Sequence, residues 1–248
     1  VIRREGSDLL LVAGRAPVVR VDGLLSPVAD LVLDGEEIAA AIVPLLPPHA
    51  AKQFGNTGIA DASLRLPALG RFRVNLHHER GRAAAAIRVL PNQVPSLAEL
   101  NLPPEVELLS RLGRGLVLIG GATGSGKTTT LAALVDVINR REARHIITVE
   151  DPIEYEHAHQ AGVVEQVEVG IDAPDFPTAL RAAVRQAPDV LVIGEMRDQE
   201  SMRIALSAAE TGHLVFSSVH TTDVAATVGR ICDSFSNERQ NTIRQELS

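Results

Sequence analysis

Between residues 8 and 90, apolar positions fall in short strand-like runs at 9–12, 18–21 and 83–90, around one stretch of helical spacing at 35–46. The helical stretch breaks at Pro47-Pro48, since proline inside a helix removes a donor and clashes with the preceding turn. These runs predict a small α+β domain over residues 1–90. Four prolines then crowd into PNQVPSLAELNLPP, a composition that interrupts helix and strand alike, and we read residues 91–105 as a linker. From residue 116 the pattern changes. The apolar runs LVLIG, HIITVE, GVVEQVEV, DVLVIGE and HLVFSSV are separated mainly by helical spacing, as in a mostly parallel sheet covered by helices. Residues 106–248 therefore read as an α/β domain, and no repeat of fixed period is visible.

Composition narrows the function classes. With 248 residues and 45% of them hydrophobic, the chain can bury two modest cores. No run approaches the roughly 20 consecutive apolar residues of a membrane span, and no signal-peptide pattern opens the chain, so direct membrane insertion is not expected. The single cysteine, Cys232, excludes an internal disulfide and makes the cytoplasm the default compartment. A net charge of −7 and 2% aromatic residues offer little attraction to a phosphate backbone and few rings for base stacking, so no nucleic-acid partner is expected. The first residue, Val1, is not a methionine, and the polar helical pattern at the end carries no stop signal, so a fragment is expected.

The strongest chemical signal is GATGSGKT at residues 121–128, which follows an apolar strand run and precedes the helical run TTLAALVDVIN. Glycines at Gly121, Gly124 and Gly126 allow the backbone to curl so that successive N–H groups point inward, and the helix N-terminus adds its partial positive charge. Lys127 extends toward the β- and γ-phosphates of a nucleotide, and the Thr128 hydroxyl is a ligand for Mg²⁺. Thr123, Ser125 and Thr129 complete the expected phosphate-binding set. Lys52 and Lys127 are the only lysines among 24 basic residues.

A phosphate cradle does not activate water, so hydrolysis requires carboxylates nearby. Two segments offer them. TVEDPIEYEH runs from a strand into an acidic loop bearing Glu150, Asp151 and Glu154. PDVLVIGEMRD is a strand ending in Gly194 and Glu195, at the edge where ligands collect in open α/β sheets. His145, His157 and His159 invite a metal reading, but H-x-H in a polar loop without cysteine reads better as polar side chains facing solvent.

Together with AETGHLVFSSVHTT at 209–222, these segments resemble, in order and spacing, the PilT/GspE family of secretion and twitching-motility ATPases, where they are the Asp box, Walker B and His box. The resemblance implies a RecA-like P-loop NTPase domain preceded by a PAS-like N-terminal domain, with ATP and Mg²⁺ as nucleotide and metal. It makes Glu154 the general base that orients the attacking water. Glu195 becomes the Walker B acid that positions Mg²⁺ through water, and His220 and His213 the His-box histidines. Gly194 stands where many P-loop ATPases carry aspartate, a feature the family shares, which leaves Thr128 as the direct protein ligand of the metal.

Within the first domain, SDLLLVAGRAPVVRVDG resembles the family's first hairpin, and residues 70–91 resemble its closing strand pair, with Arg73 and Arg88 at the positions that reach a neighbouring subunit's γ-phosphate. Arg71 and Arg80 fit surface strand positions better. The resemblance further implies a homo-hexamer with the proline-rich segment as hinge, peripheral at the inner membrane on its cytoplasmic face, against a pilus platform protein. A single cysteine, a short first domain and GEMRD at 194–198 favour pilus retraction. Pilus assembly or type II secretion within the family is the alternative. Beyond it stand a RecA-like nucleic-acid motor, which should respond to nucleic acid, and a regulatory nucleotide-binding module without turnover.

Overall fold

The structure is a computed structural model that describes residues 1–247; Ser248, the end of segment 106–248, lies outside the described residues. The chain divides into two units, Val1–Asn92 and Gln93–Ser248. In the first, β1 (Asp8–Leu11), β2 (Val18–Val21), β3 (Leu24–Pro27), β4 (Ile59–Leu66), β5 (Gly70–Glu79) and β6 (Arg82–Leu90) pair antiparallel in the order β3-β2-β1-β6-β5-β4. Two helices, α1 (Gly35–Ile42) and α2 (Pro48–Thr57), belong to the same unit. On β5, buried Phe72, Val74 and Leu76 alternate with Arg71, Arg73, Asn75 and His77, and the apolar set packs with Ala60, Ala62 and Leu64 of β4 and Ile38 and Ile42 of α1.

Pro47-Pro48 does not simply end a helix. Helix α1 closes at Ile42, a 3-10 turn covers Val43–Leu45, and Pro48 opens α2 in its first turn, where the missing N–H has no intrahelical partner to lose. Helix α2 is therefore an element the hydrophobic pattern did not predict. Arg71, expected at the surface, is only 6% exposed.

The second unit holds β7 (Gly115–Gly120), α3 (Lys127–Arg141), β8 (His145–Glu150), β9 (Val163–Glu168), α4 (Phe176–Ala183), β10 (Val190–Ile193), α5 (Gln199–Glu210), β11 (Leu214–Val219), α6 (Val224–Asp233) and α7 (Asn237–Glu246). Its five strands lie in the order β7-β11-β10-β8-β9, and every pairing is parallel. Both faces are buried, which explains the near-continuous apolar runs. Ile146, Val190, Val192, Leu214 and Phe216 pack with Leu134 and Ile138 of α3. Their neighbours Ile147, Val149, Leu191, Ile193 and Val215 pack on the other face with Leu180, Met202 and Ala205 from α4 and α5. The segment read as a linker joins this unit from Gln93 onward, with Leu97 packed against the α3 side of the core.

Because all five strands run in one direction, the ends of β7, β8, β10 and β11 share one edge of the sheet. Gly120, Glu150, Ile193 and Val219 are the last residues of those strands, and each leads into one of the chemically suggestive segments.

Candidate nucleotide site

The loop after β7 has the geometry its glycines require. Gly124 and Gly126 adopt φ of 78° and 90°, the left-handed region that a side chain resists, and Gly126 is the N-cap of α3 with no side chain occupying its first N–H groups. Those donors and the helix dipole form an anion cradle. Lys127 is 8% exposed, and its Nζ donates to the carbonyls of Gly121 and Ala122, each at 2.9 Å, so the ammonium is held against the loop it serves. Thr130 Oγ1 donates to the Gly126 carbonyl at 2.9 Å and tightens the first turn.

The acidic loop after β8 curves back to that helix. The Tyr155 hydroxyl lies 3.1 Å from Thr129 Oγ1, and Tyr155 shares a cavity of about 20 Å³ with Thr128, Thr148, Glu150, His157 and Gly194. Thr128 and the Walker B glycine thus line the same small space. Burial pushes the Glu150 carboxyl above the usual carboxylate range, and the charge of Glu154 acts in the same direction. Hydrogen bonds from Thr148 Oγ1 (2.7 Å), Gln166 Nε2 (3.2 Å) and the Glu154 backbone N–H offset part of that push. Asp151 is exposed at the loop's start. Burial holds His157 below its usual range, keeping the ring neutral, while His145 pairs with Glu165 at 2.8 Å and His159 accepts from the Val164 N–H at 3.2 Å.

Glu195, with a side chain 15% exposed, sits just past β10 between Arg197 Nε at 2.6 Å and His220 Nε2 at 3.4 Å. Gly194 lies closely packed beneath it. A Cβ there would stand 3.3 Å from the Val149 carbonyl oxygen and 3.4 Å from Glu150 Cα, so a side chain at 194 would push against β8. His220 follows β11 and therefore meets the same edge. His213 does not belong with it: it precedes β11, six residues of strand away or about 20 Å at the usual rise. Its Nδ1 donates to the Ala208 carbonyl at 3.0 Å, at the opposite edge of the sheet. Within one chain, His213 and His220 therefore lie at opposite edges of the sheet.

Arg73 and Arg88 lie in the first unit, directly opposite one another on β5 and β6 and on the sheet face away from its apolar core. Arg88 Nε reaches Asp8 Oδ1 at 2.8 Å, and Arg73 Nε lies 3.8 Å from Asp61 Oδ1. Arg80 is exposed beside Glu79. Burial raises the Asp8 carboxyl's pKa, but hydrogen bonds from Arg88 and Ser7 and the charges of Arg88 and Arg20 outweigh it and hold the group below its ordinary range.

Reasoning from sequence missed Gln166, Tyr155 and Arg197. Gln166 carried a faint signal, a carboxamide inside the apolar run of β9. Arg197 had none beyond standing two residues from Glu195.

A parallel sheet with a glycine loop between its first strand and a helix, and carboxylates on neighbouring strand ends, defines a RecA-like P-loop nucleotidase. Residues 63–245 match the family described as Type II/IV secretion system protein, and the chain belongs to that family. It is 42% identical to the type IV pilus retraction ATPase PilT of Pseudomonas aeruginosa over 246 residues, covering 99% of this chain and 72% of the relative. The type IV pilus ATPase PilU of the same organism is 36% identical over 247 residues, covering all of this chain and 65% of PilU. Among solved structures, the pilus retraction motor PilT with bound ADP superposes with a TM-score of 0.94 at 42% identity, over 99% of this chain and 72% of that one.

Proposed function

We propose that the chain is the ATP-hydrolysing core of a pilus retraction motor. The observation that carries this reading is the convergence, on one edge of the parallel sheet, of the Lys127 loop, the Glu154 loop and the Glu195–His220 pair. The N–H groups of residues 121–128 and the start of α3 bind the β-phosphate of ATP, and Lys127 exchanges a loop carbonyl for β- and γ-phosphate oxygens. The donor set fits a hard divalent cation that keeps most of its waters: Thr128 supplies a hydroxyl and Glu195 a carboxylate. When bound, Mg²⁺ neutralises charge that develops on the transferring phosphoryl group. Glu154 accepts hydrogen from the attacking water and orients it. His220 and Arg197 fix the rotamer of Glu195.

In the same reading Arg73 and Arg88 of one copy stabilise the γ-phosphate bound by the next, within a ring of six, and residues 91–105 serve as the hinge. The ring works at the cytoplasmic face of the inner membrane against a platform protein of the pilus machine. No helix among the described residues is long and apolar enough to cross a membrane.

The test is Glu154→Gln, which keeps volume and hydrogen-bonding reach while removing the base. ADP affinity should stay within about threefold of wild type, because the phosphate cradle is untouched, while turnover falls by about 100-fold or more. Undiminished turnover in this variant removes Glu154 from the mechanism.

A further inference from the structure

Glu154 sits on a loop, and loops are poor places for a group that must hold water within a few tenths of an ångström of a reacting phosphorus. The structure supplies an unusual answer on the neighbouring strand. The side chain of Gln166, on β9, turns both N–H donors and its carbonyl oxygen to this loop and its root. Nε2 donates to the Tyr155 carbonyl at 2.8 Å and to Glu150 Oε1 at 3.2 Å, while Oε1 accepts from the His157 N–H at 2.8 Å. A carbonyl at one position and an N–H two residues on is the pattern that a paired strand offers its neighbour. Gln166 reproduces it with a carboxamide, and so grips the chain immediately after Glu154.

Two residues further along β9, on the same face, Glu168 Oε2 accepts from the Ile153 N–H at 3.1 Å, immediately before Glu154. Glu154 is thus bracketed on both sides by side chains of one edge strand. A third contact, Tyr155 to Thr129, ties the same loop to the first turn of α3, two residues past Lys127.

We infer that Gln166 is a positioning residue for hydrolysis, which acts through Glu154 by clamping the backbone on its C-terminal side, with Glu168 as the matching clamp on the other. The inference rests on the reading of Glu154 as the group that orients the attacking water. The hydrogen bonds of Gln166 go to Glu150, Tyr155 and His157 and not to the P-loop, so its work is separable from nucleotide binding. Methionine at 166 keeps the side-chain length and removes the donor and acceptor. The loop then loses its grip without losing its residues, and a displacement near 1 Å costs about 10- to 100-fold in rate.

The experiment is a double-mutant cycle in the full chain: wild type, Gln166→Met, Glu154→Gln and the double variant, each measured for single-turnover ATP hydrolysis, KM and ADP affinity. The expected result is a kcat lowered about 10- to 100-fold in Gln166→Met, with KM and ADP affinity within about threefold of wild type, and no further loss when Gln166→Met is added to Glu154→Gln. Four outcomes overturn the inference. Wild-type kcat in Gln166→Met, alongside a dead Glu154→Gln, removes Gln166 and leaves Glu154 standing. Multiplicative losses in the double variant, or a parallel fall in ADP affinity, return Gln166 to a purely structural role. Full turnover in Glu154→Gln removes both residues together. If Gln166→Met does not fold, Gln166→Glu carries the same test, because it keeps the acceptor for His157 and loses both donors.

Discussion

Replacing Lys127 by methionine isolates the charge from the stem, because the side chain is 8% exposed and its methylenes are packed at the start of α3. The magnitude follows from two opposing quantities. An ammonium about 4 Å from a phosphate charge, at an effective dielectric near 20, contributes about 4 kcal/mol. To reach the phosphate it gives up one of its bonds to the Gly121 and Ala122 carbonyls, now both at 2.9 Å. A hydrogen bond to a charged group is worth about 1.5–3 kcal/mol. The difference is about 1–2.5 kcal/mol, or about 5- to 70-fold in ADP affinity. Isothermal titration of ADP into both proteins at one fixed salt concentration measures it. Thermal unfolding without nucleotide controls for damage to the loop. Hydrolysis should fall further than binding, since the charge that builds on the γ-phosphoryl group in the transition state is also lost. ADP affinity within twofold of wild type, with turnover retained, would refute the assignment of Lys127 to the phosphates.

The other predictions concern pH and assembly. The folded-state pKa of Glu150 is raised, chiefly by burial, so folding favours its protonated form. Its stabilising contribution is complete below the unfolded value of 4.5 and is lost as pH rises through the folded value. Glu150→Gln should therefore gain in Tm relative to wild type as pH rises above 4.5 and through the raised folded value, and a pH-independent difference would show that burial does not control this carboxyl. Arg73→Ala combined with Arg88→Ala should lower turnover with ADP affinity preserved, and mixing that protein with Lys127→Met should restore turnover, because one supplies intact P-loops and the other intact arginines. Absence of complementation would argue against action in trans.

How far the sequence could be read follows from where each constraint acts. The P-loop was legible because its chemistry is written in consecutive residues, and the parallel sheet because burial on both faces forces runs such as residues 190–193. Strand β4 was hidden: its buried Ala60 and Ala62 alternate with Asp61 and Ser63, a contrast too small to mark a period of two. Helix α2 was hidden by Pro47-Pro48, which has the same composition whether it ends one helix or opens the next. The two histidines of HLVFSSVH stand apart for a geometric reason. Seven positions apart on a strand is the length of the sheet, whereas on a helix it would have been two turns of one face. Gln166 carried only a faint signal because its partners are contributed by another segment, and only the pairing of β9 with β8 brings them within reach.

Glu154 needs help from a neighbouring strand because of where its loop leaves the sheet. The P-loop leaves β7, at one edge of the sheet, while the acidic loop leaves β8, three strands away in the order β7-β11-β10-β8-β9. At about 4.8 Å per strand, the two strand ends are about 14 Å apart. His220 and Glu195 have no such gap, since β11 and β10 are adjacent and parallel, and their strands alone bring them together. The acidic loop must cross the difference as irregular backbone, and it does so to reach Thr129 through Tyr155. A crossing of that kind has no strand partner for its N–H and C=O groups, which then go to side chains. Glu168 and Gln166 take three of them, at Ile153, Tyr155 and His157. The position of the proposed base is therefore set by the edge strand beyond its own, and substitutions on β9 that leave every phosphate contact intact should act on the rate of hydrolysis.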